Sequence, residues 1–412
     1  MKKPAGNWGK TPWTIAFRVK TKPLPEIVDI AVVGGGFTGL CAAAMAKRLA
    51  PGKSVLLMEA ERIGHGASGR TGGMALAETA AGNLSGLGDV LKGCRKILRE
   101  LGVKADLALP GVWELARGTS SMEGKPVHAM KRSPVAWNDS GTLRAVKHVP
   151  GGSVNPGKMV SGLARAAQRA GAQIAENTVL EKIEFTRPAK LHLRTTRRGR
   201  VIKKVIAAER VLLATNAGSV ELGDKLFAGR EPSEPKLTFA LATSPLSKKQ
   251  LEKIGMSSRR PFYTVDLPYL WGRLLDNGRL IFGSGLVPGW GESMSLESRK
   301  EKSAKFNEKK LWSGLEKVNV TKGEAAERLA SLEKRVRGLH PALESIRVTH
   351  RWGGPILLTR GFVPVFREHP HSAHVVVCGG YSGHGVALSV YLGKWAAEHL
   401  LGRRALPLWR AH

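Results

Sequence analysis

Cysteine is nearly absent from this chain, with three in 412 residues. Cys41, Cys94 and Cys378 stand apart with no C-x-x-C pair, which excludes a disulfide framework and a thiolate metal centre and fits a reducing, cytoplasmic setting. Long apolar runs are lacking too, since no segment approaches the roughly 18–20 residues that a membrane-spanning helix needs. The basic N-terminal stretch MKKPAGNWGKTPWTIAFRVK has its apolar positions broken by charge and does not read as a secretory signal. Neither G-x-S-x-G nor H-E-x-x-H occurs, so no serine-hydrolase elbow, zincin site or other metal site is expected. Acidic residues are scarce beside basic ones, 33 against 65, leaving a net charge of +32. The excess gathers in Arg194–Lys204, Lys248–Arg260 and Arg299–Lys310. Nucleic acid, an anionic membrane surface and an acidic protein all carry the complementary charge. Few aromatics accompany the clusters to stack on bases, so solvated faces are the simpler reading and nucleic acid a secondary one.

What is present is concentrated between Asp29 and Met74. Ile30 to Gly34 reads as a buried strand ending in a glycine turn, and Gly34, Gly36 and Gly39 have the spacing G-x-G-x-x-G. An Ala-rich helix follows from Phe37 to Leu49, then an apolar run from Ser54 to Met58 that ends at Glu59 and Ala60. In a βαβ unit of this kind the first glycine permits the tight turn, the second lets a pyrophosphate approach the backbone, and the third lets helix and strand pack closely. Phe37 and Thr38 open the helix, whose free N–H groups and partial positive charge suit phosphate. A carboxylate at Glu59 suits the hydroxyls of an adenosine ribose, which selects FAD or NAD over a 2′-phosphorylated nucleotide.

The next segment separates those two. Gly64–Gly73 (GHGASGRTGG) holds five glycines, a composition suited to backbone lying against a ligand and not to an element interior. With the preceding strand, this run resembles the FAD-dependent D-amino-acid-oxidase-like family, and within it the gamma-glutamylputrescine-oxidoreductase-like branch. The resemblance implies an α/β fold, with a Rossmann-type FAD-binding domain and an interleaved antiparallel-sheet (α+β) substrate domain. It places Ser68, Arg70, Thr71, Gly72 and Gly73 beside the flavin and the backbone of Val179 beside the adenine.

Along the chain, residues 1–25 read as an N-terminal extension. A helical stripe runs from Leu87 to Leu101, strands from Gly111 to Ala116 and Leu143 to Val149, and a helix from Gly157 to Ala170 after Pro156. Strands follow at Glu181–Phe185, Lys190–Thr195, Val201–Ala207 and Val211–Ala217. The last (VLLATNA) resembles a family segment that closes over the cofactor and includes Thr215 and Asn216. Further strands are expected at Lys236–Ala242, Phe262–Leu267, Tyr269–Leu274 and Arg279–Gly285, with Asp276-Asn277-Gly278 as a hairpin turn. Charged helical stretches at Glu297–Lys317 and Glu324–Leu339 come next. Val348–Pro364 resembles the family's W-x-G-x-x-x-x-T segment, in which Gly354 lies near the flavin. A buried strand at His374–Gly380 leads to Tyr381-Ser382-Gly383-His384-Gly385 and an apolar helix ending at Leu401. The resemblance sets Gly380, Gly383, His384 and Gly385 at the flavin's pyrimidine edge. The expected division is 26–80, 150–220 and 335–402 for FAD and 81–149 with 221–334 for substrate.

The family oxidises a C–N bond: a neutral amine yields hydride to flavin N5 and the imine is hydrolysed. The substrate-side residues expected are Tyr269, Trp271, Arg273, Trp352 and His384. Amino-acid oxidases of the family carry a carboxylate-clamping arginine that aligns with Ile356 here, so the resemblance implies an amine or N-substituted amino acid. Relatives with covalent flavin use a His or Cys at positions matching Arg70 and Pro355–Ile356, which implies non-covalent FAD. The lysine that promotes oxygen reactivity in some relatives aligns with Ile281, leaving oxygen or a quinone-type acceptor open. The charge keeps one alternative in view, a flavoenzyme that demodifies a tRNA base.

Overall fold

Seven residues dominated by β-branched and small side chains, Ile27–Val33, form the central strand of a parallel sheet. The structure, a computed structural model, describes residues 6–20, 22–118, 121–122, 125–126, 128–197, 199–218, 234–286 and 318–409. It divides into two compact units: one of residues 1–12, 108–153 and 236–355, the other of 13–107, 154–235 and 356–412.

In the second unit the sheet order is Gln173–Ala175, Val55–Met58, Ile27–Val33, Arg200–Leu213. All three pairings between these neighbours are parallel. The strand Arg200–Leu213 changes partner along its free side. Its first half pairs antiparallel with Ala189–Arg197, and Val211–Leu213 pairs parallel with Val375–Val377. The two strands expected at Val201–Ala207 and Val211–Ala217 are therefore one, because polar Glu209 and Arg210 continue the ladder. The chain leaves the sheet at Ala214 and turns at Asn216 (φ 48°). The helix Phe37–Leu49 is apolar on nearly every side, as a helix enclosed by other elements must be. Gly393 in the last helix, Gly385–Leu400, permits that enclosure, since a Cβ there would stand 2.7 Å from the Thr38 carbonyl oxygen. Asp89 and Asn155 cap the helices Val90–Glu100 and Pro156–Arg169 by accepting from the Lys92 and Lys158 N–H groups.

The first unit is built on an eight-stranded sheet, ordered Val348–Leu358, Glu234–Pro245, Arg279–Leu286, Leu270–Leu274, Phe262–Thr264, Val112–Arg117, Thr142–Val149, Ala136–Asn138. Phe262–Thr264 runs parallel to Val112–Arg117, a departure from the antiparallel sheet expected. Leu270, Leu274, Leu280 and Phe282 pack from one face onto Leu332 and Val336 of the helix Gly323–Gly338.

The boundaries of these units differ from the expected division. Val90–Glu100 belongs with the parallel sheet because its apolar stripe meets the last helix. Residues 6–12 join the other unit, where Gly9 bridges to Trp352, while the Trp13 indole N–H donates to the Gly69 carbonyl in the second. The expected helix at Glu297–Lys317 and the basic cluster Arg299–Lys310 lie outside the described residues.

Candidate active site

The glycine turn shows why each position is glycine. Gly34 has φ +111°, and a Cβ there would lie 2.5 Å from the Ala214 carbonyl oxygen. A Cβ on Gly39 would lie 2.0 Å from the Gly34 oxygen, so helix and turn touch through backbone. Gly36 differs, because its Cβ would meet only the Ser68 side chain, Oγ at 2.9 Å. Among the described residues the Gly36, Thr38 and Gly39 N–H groups have no acceptor, while the Phe37 N–H donates to Ser68 Oγ at 2.9 Å. Ser68 thus serves as a cap, a role that its place in a glycine-rich run did not reveal. It sits on a four-residue helical turn, Ala67–Arg70, where the composition suggested none. Gly69 makes that turn possible by packing on the Gly64 carbonyl.

Glu59 ends the second strand as expected, and its carboxylate is already engaged. Oε2 accepts from the Gly35 N–H at 2.7 Å and Oε1 from the Glu61 N–H at 3.0 Å. Burial pushes its carboxyl pKa up and these two N–H groups oppose that. The bonds fix the carboxylate's orientation and leave each oxygen a further lone pair for a ribose hydroxyl. Ala60 beside it is exposed. Arg70 Nε donates to the His65 carbonyl, the Gly73 N–H donates to Thr71 Oγ1, and the Gly73 carbonyl accepts from the Val154 N–H, with Gly72 between them. Val179 lies on the edge strand Thr178–Glu184 opposite Arg194.

The second glycine loop follows the strand Ser372–Gly379. Gly380 (φ 68°), Ser382 (φ 49°) and Gly383 (φ 90°) hold it in left-handed backbone, and the Gly380 N–H donates to Asn216 Oδ1 at 2.9 Å. The Ser382 N–H donates to the Leu357 carbonyl, and the His384 N–H closes a turn on Tyr381. His384 is the N-cap residue of the last helix and Gly385 its first residue. Burial lowers the His384 pKa, so the imidazole is neutral at pH 7. Tyr381 was not singled out from sequence. Its buried hydroxyl meets Thr38 Oγ1 at 2.6 Å, tying the start of the first helix to this loop across 343 residues.

In the first unit, Trp271 and Arg273 share the face opposite the helix-packed core, with Ile281, Tyr263 and Glu114. The Trp271 ring lies over Gly283, where a Cβ would be 2.0 Å from it. Arg273 pairs across the ladder with Ile281, and the two are 6% and 0% exposed. The Tyr263 hydroxyl donates to Glu114 Oε1 at 2.6 Å. Tyr269 precedes its strand and is half-buried, and burial pushes its phenol pKa well up. A buried charge network holds its backbone. Asp139 accepts from Arg335 at 2.9 and 2.7 Å and from Arg117 at 2.5 Å, Arg117 also meets Asp266 at 2.5 Å, and Arg335 Nη1 donates to the Tyr269 carbonyl at 3.1 Å. At 1% exposure Trp352 is among the largest fully buried side chains, and its backbone bridges to Gly9. Gly354 accepts through its carbonyl from Thr238 Oγ1.

A parallel βαβ crossover with three unengaged N–H donors in its glycine turn and an oriented carboxylate at the end of its second strand defines a dinucleotide-binding protein. The donors and the side-chain-free Gly36 fit a diphosphate, and Glu59 fits the adjoining ribose. The chain belongs to the DAO family of FAD-dependent oxidoreductases, whose family model matches residues 29–399. It is 26% identical to gamma-glutamylputrescine oxidoreductase of Escherichia coli K12 over 411 residues, 91% of this chain and 84% of that protein. The fold is similar to crystal structures of glycine oxidase from Geobacillus kaustophilus and L-proline dehydrogenase from P. horikoshii. The first gives a TM-score of 0.65 at 20% identity, covering 92% of this chain and 96% of that one. The second gives 0.64 at 19%, covering 93% and 96%. Among the described residues no helix is long and apolar enough to cross a membrane.

Proposed function

We propose that this chain oxidises the C–N bond of an amine or N-substituted amino acid. The observation that carries the reading is the donor cradle of Gly36, Thr38 and Gly39, set within a family match spanning residues 29–399. The relatives described above are named for gamma-glutamylputrescine, glycine and L-proline, all amines, and none for RNA. Bound FAD supplies the acceptor for a hydride from the carbon next to nitrogen, and the imine product hydrolyses in water.

The chain's own residues bind and orient. The unit of the parallel sheet would hold FAD, through Gly36–Gly39 at the diphosphate, Glu59 at the ribose, and the Ser68–Gly73 segment and Gly380–Gly385 loop at the isoalloxazine. The partial positive charge at the start of Gly385–Leu400 favours negative charge on the flavin's pyrimidine edge. The substrate-side residues of this reading are Trp271, Arg273 and Tyr269. Ile356 leaves no carboxylate clamp in the usual place, which favours an amine or N-substituted substrate over a simple α-amino acid. FAD would be held non-covalently, the enzyme would reside in the cytoplasm, and oxygen or a quinone-type compound would be the electron acceptor. Mixing the purified protein anaerobically with a panel of amines and N-substituted amino acids tests this through bleaching of the flavin spectrum. Bleaching by none of them, with RNA-dependent bleaching and a steep salt-dependent affinity for RNA, would favour the tRNA-demodifying alternative.

A further inference from the structure

The antiparallel extension of the parallel sheet ends in a hairpin whose chemistry the oxidase site does not use. The strands Ala189–Arg197 and Arg200–Leu213 pair out to Arg197 and Arg200, with Gly199 (φ +79°) in the turn. From Thr186 to Ala208 the sequence has eight cations (Arg187, Lys190, Arg194, Arg197, Arg198, Arg200, Lys203, Lys204), no acid, and no Phe, Tyr or Trp. Arg194 is neutralised by Glu181 at 2.5 Å, Lys190 lies 4.0 Å from Glu184, and Lys204 donates to the Leu24 carbonyl. The tip is different. Arg200, Val201, Ile202 and Lys203 are four consecutive exposed residues, and among the described residues Arg200 and Lys203 meet no carboxylate. Val201 is 59% and Ile202 49% exposed, and as strand neighbours they point to opposite faces, so neither face of the tip is covered. Val205 (48%) and Ile27 (59%) are also exposed on the Val201 side, with Lys203 between Val201 and Val205, because Ile27 pairs with Ala207.

We propose that this hairpin docks the protein on an anionic lipid surface, with Val201 and Ile202 entering the headgroup boundary and Arg200 and Lys203 meeting lipid phosphates. The charge selects an anionic partner, and the chemistry between the charges selects lipid. Single-stranded RNA rewards aromatic platforms, which the tip lacks, whereas exposed β-branched side chains bracketed by cations gain by leaving water beside acyl chains. A second copy of the same tip is excluded by like charge. The experiment is flotation of the full-length, FAD-loaded protein with vesicles of phosphatidylcholine alone or mixed equally with phosphatidylglycerol. Flotation with the mixed vesicles only is expected. An R200E/K203E variant should lose binding at least about 25-fold, at about fivefold per cation and more for reversal. V201S/I202S should lose it severalfold, with both variants keeping their flavin absorbance. Equal flotation of wild type and variants, flotation on neutral vesicles, or an undiminished V201S/I202S would overturn the proposal. So would a single-stranded RNA that binds the wild type and displaces it fully from the vesicles.

Discussion

Gly36 and Gly39 sit three residues apart in one motif, yet replacing each with alanine should injure different properties. Gly36 has φ −83°, open to any residue, and its new Cβ would meet only the end of Ser68, which can swing away. The cost to the protein is the Ser68 bond to the Phe37 N–H, about 1 kcal/mol. In the proposed site the same methyl stands in the path of the diphosphate, and each N–H bond to a charged oxygen that it displaces costs about 1.5–3 kcal/mol. That is roughly a ten- to hundredfold loss of FAD affinity per bond. At Gly39 the methyl would stand 2.0 Å from a backbone oxygen, so the helix must shift, at about 1–3 kcal/mol or more in the protein itself. Measured on flavin-stripped protein, so that bound FAD does not itself add stability, denaturant unfolding should leave Gly36→Ala within about 1 kcal/mol of wild type and Gly39→Ala clearly below it. FAD titration should show the Gly36→Ala defect directly. A Gly36→Ala protein that binds FAD at wild-type affinity, or a Gly39→Ala protein as stable as the parent, would refute the assignment of the two roles.

On the proposed reading of non-covalent FAD, acid precipitation should release the cofactor into the supernatant. Flavin left in the pellet would show a covalent link. His384 is held neutral by burial, so its folded pKa lies below the unfolded value of about 6.5. Its contribution to stability is then full above that value and falls as pH drops through it, because the unfolded chain takes up the proton first. Unfolding from pH 8 to pH 5 should show a decline that His384→Gln reduces. Arg273 is the substrate-side cation of the proposed reading. Stopped-flow reoxidation in air-saturated buffer should be slow, and slower in Arg273→Met. Ile281→Lys should fail to accelerate it, because a second cation beside Arg273 at a fully buried position destabilises the sheet. Fast reoxidation by Ile281→Lys would refute that expectation. Asp139→Asn strips Arg117 and Arg335 of their shared carboxylate and should cost about 3–5 kcal/mol in denaturant unfolding. A loss under 1 kcal/mol would mean that the network relaxes.

Local signals were legible and distant ones were not. The helix Phe37–Leu49 follows from its glycines and small apolar residues, whose meaning lies within about twenty residues. The hairpin turn at Asn277-Gly278 joins Leu270–Leu274 to Arg279–Leu286 as its dipeptide indicates. By contrast, Arg200–Leu213 looked like two strands because Glu209 and Arg210 break its apolar pattern, and only the neighbouring strands show why it continues. Thr38 and Tyr381 carry no joint signature, since tertiary folding alone brings them together. Trp352 drew attention as an aromatic in a family-like segment, but sequence does not distinguish an aromatic facing a ligand from one enclosed in a core. The capping role of Ser68 was hidden similarly, because a cap is recognised by the helix it serves and that helix begins 31 residues earlier.

The chain passes between its two units five times, at residues 12–13, 107–108, 153–154, 235–236 and 355–356. On the ribosome this imposes a long wait. Val211–Leu213 emerges with one side of its ladder open, and its parallel partner Val375–Val377 follows more than 160 residues later. At synthesis rates of about 5–20 residues per second, that edge stays unpaired for roughly 8–30 s. The helix Gly385–Leu400, which encloses the first helix, arrives later still. A nascent chain of this design exposes a hydrophobic strand edge for about two-fifths of its synthesis, and a truncation that removes only the last forty residues strips a wall from the unit that the first fifty residues begin.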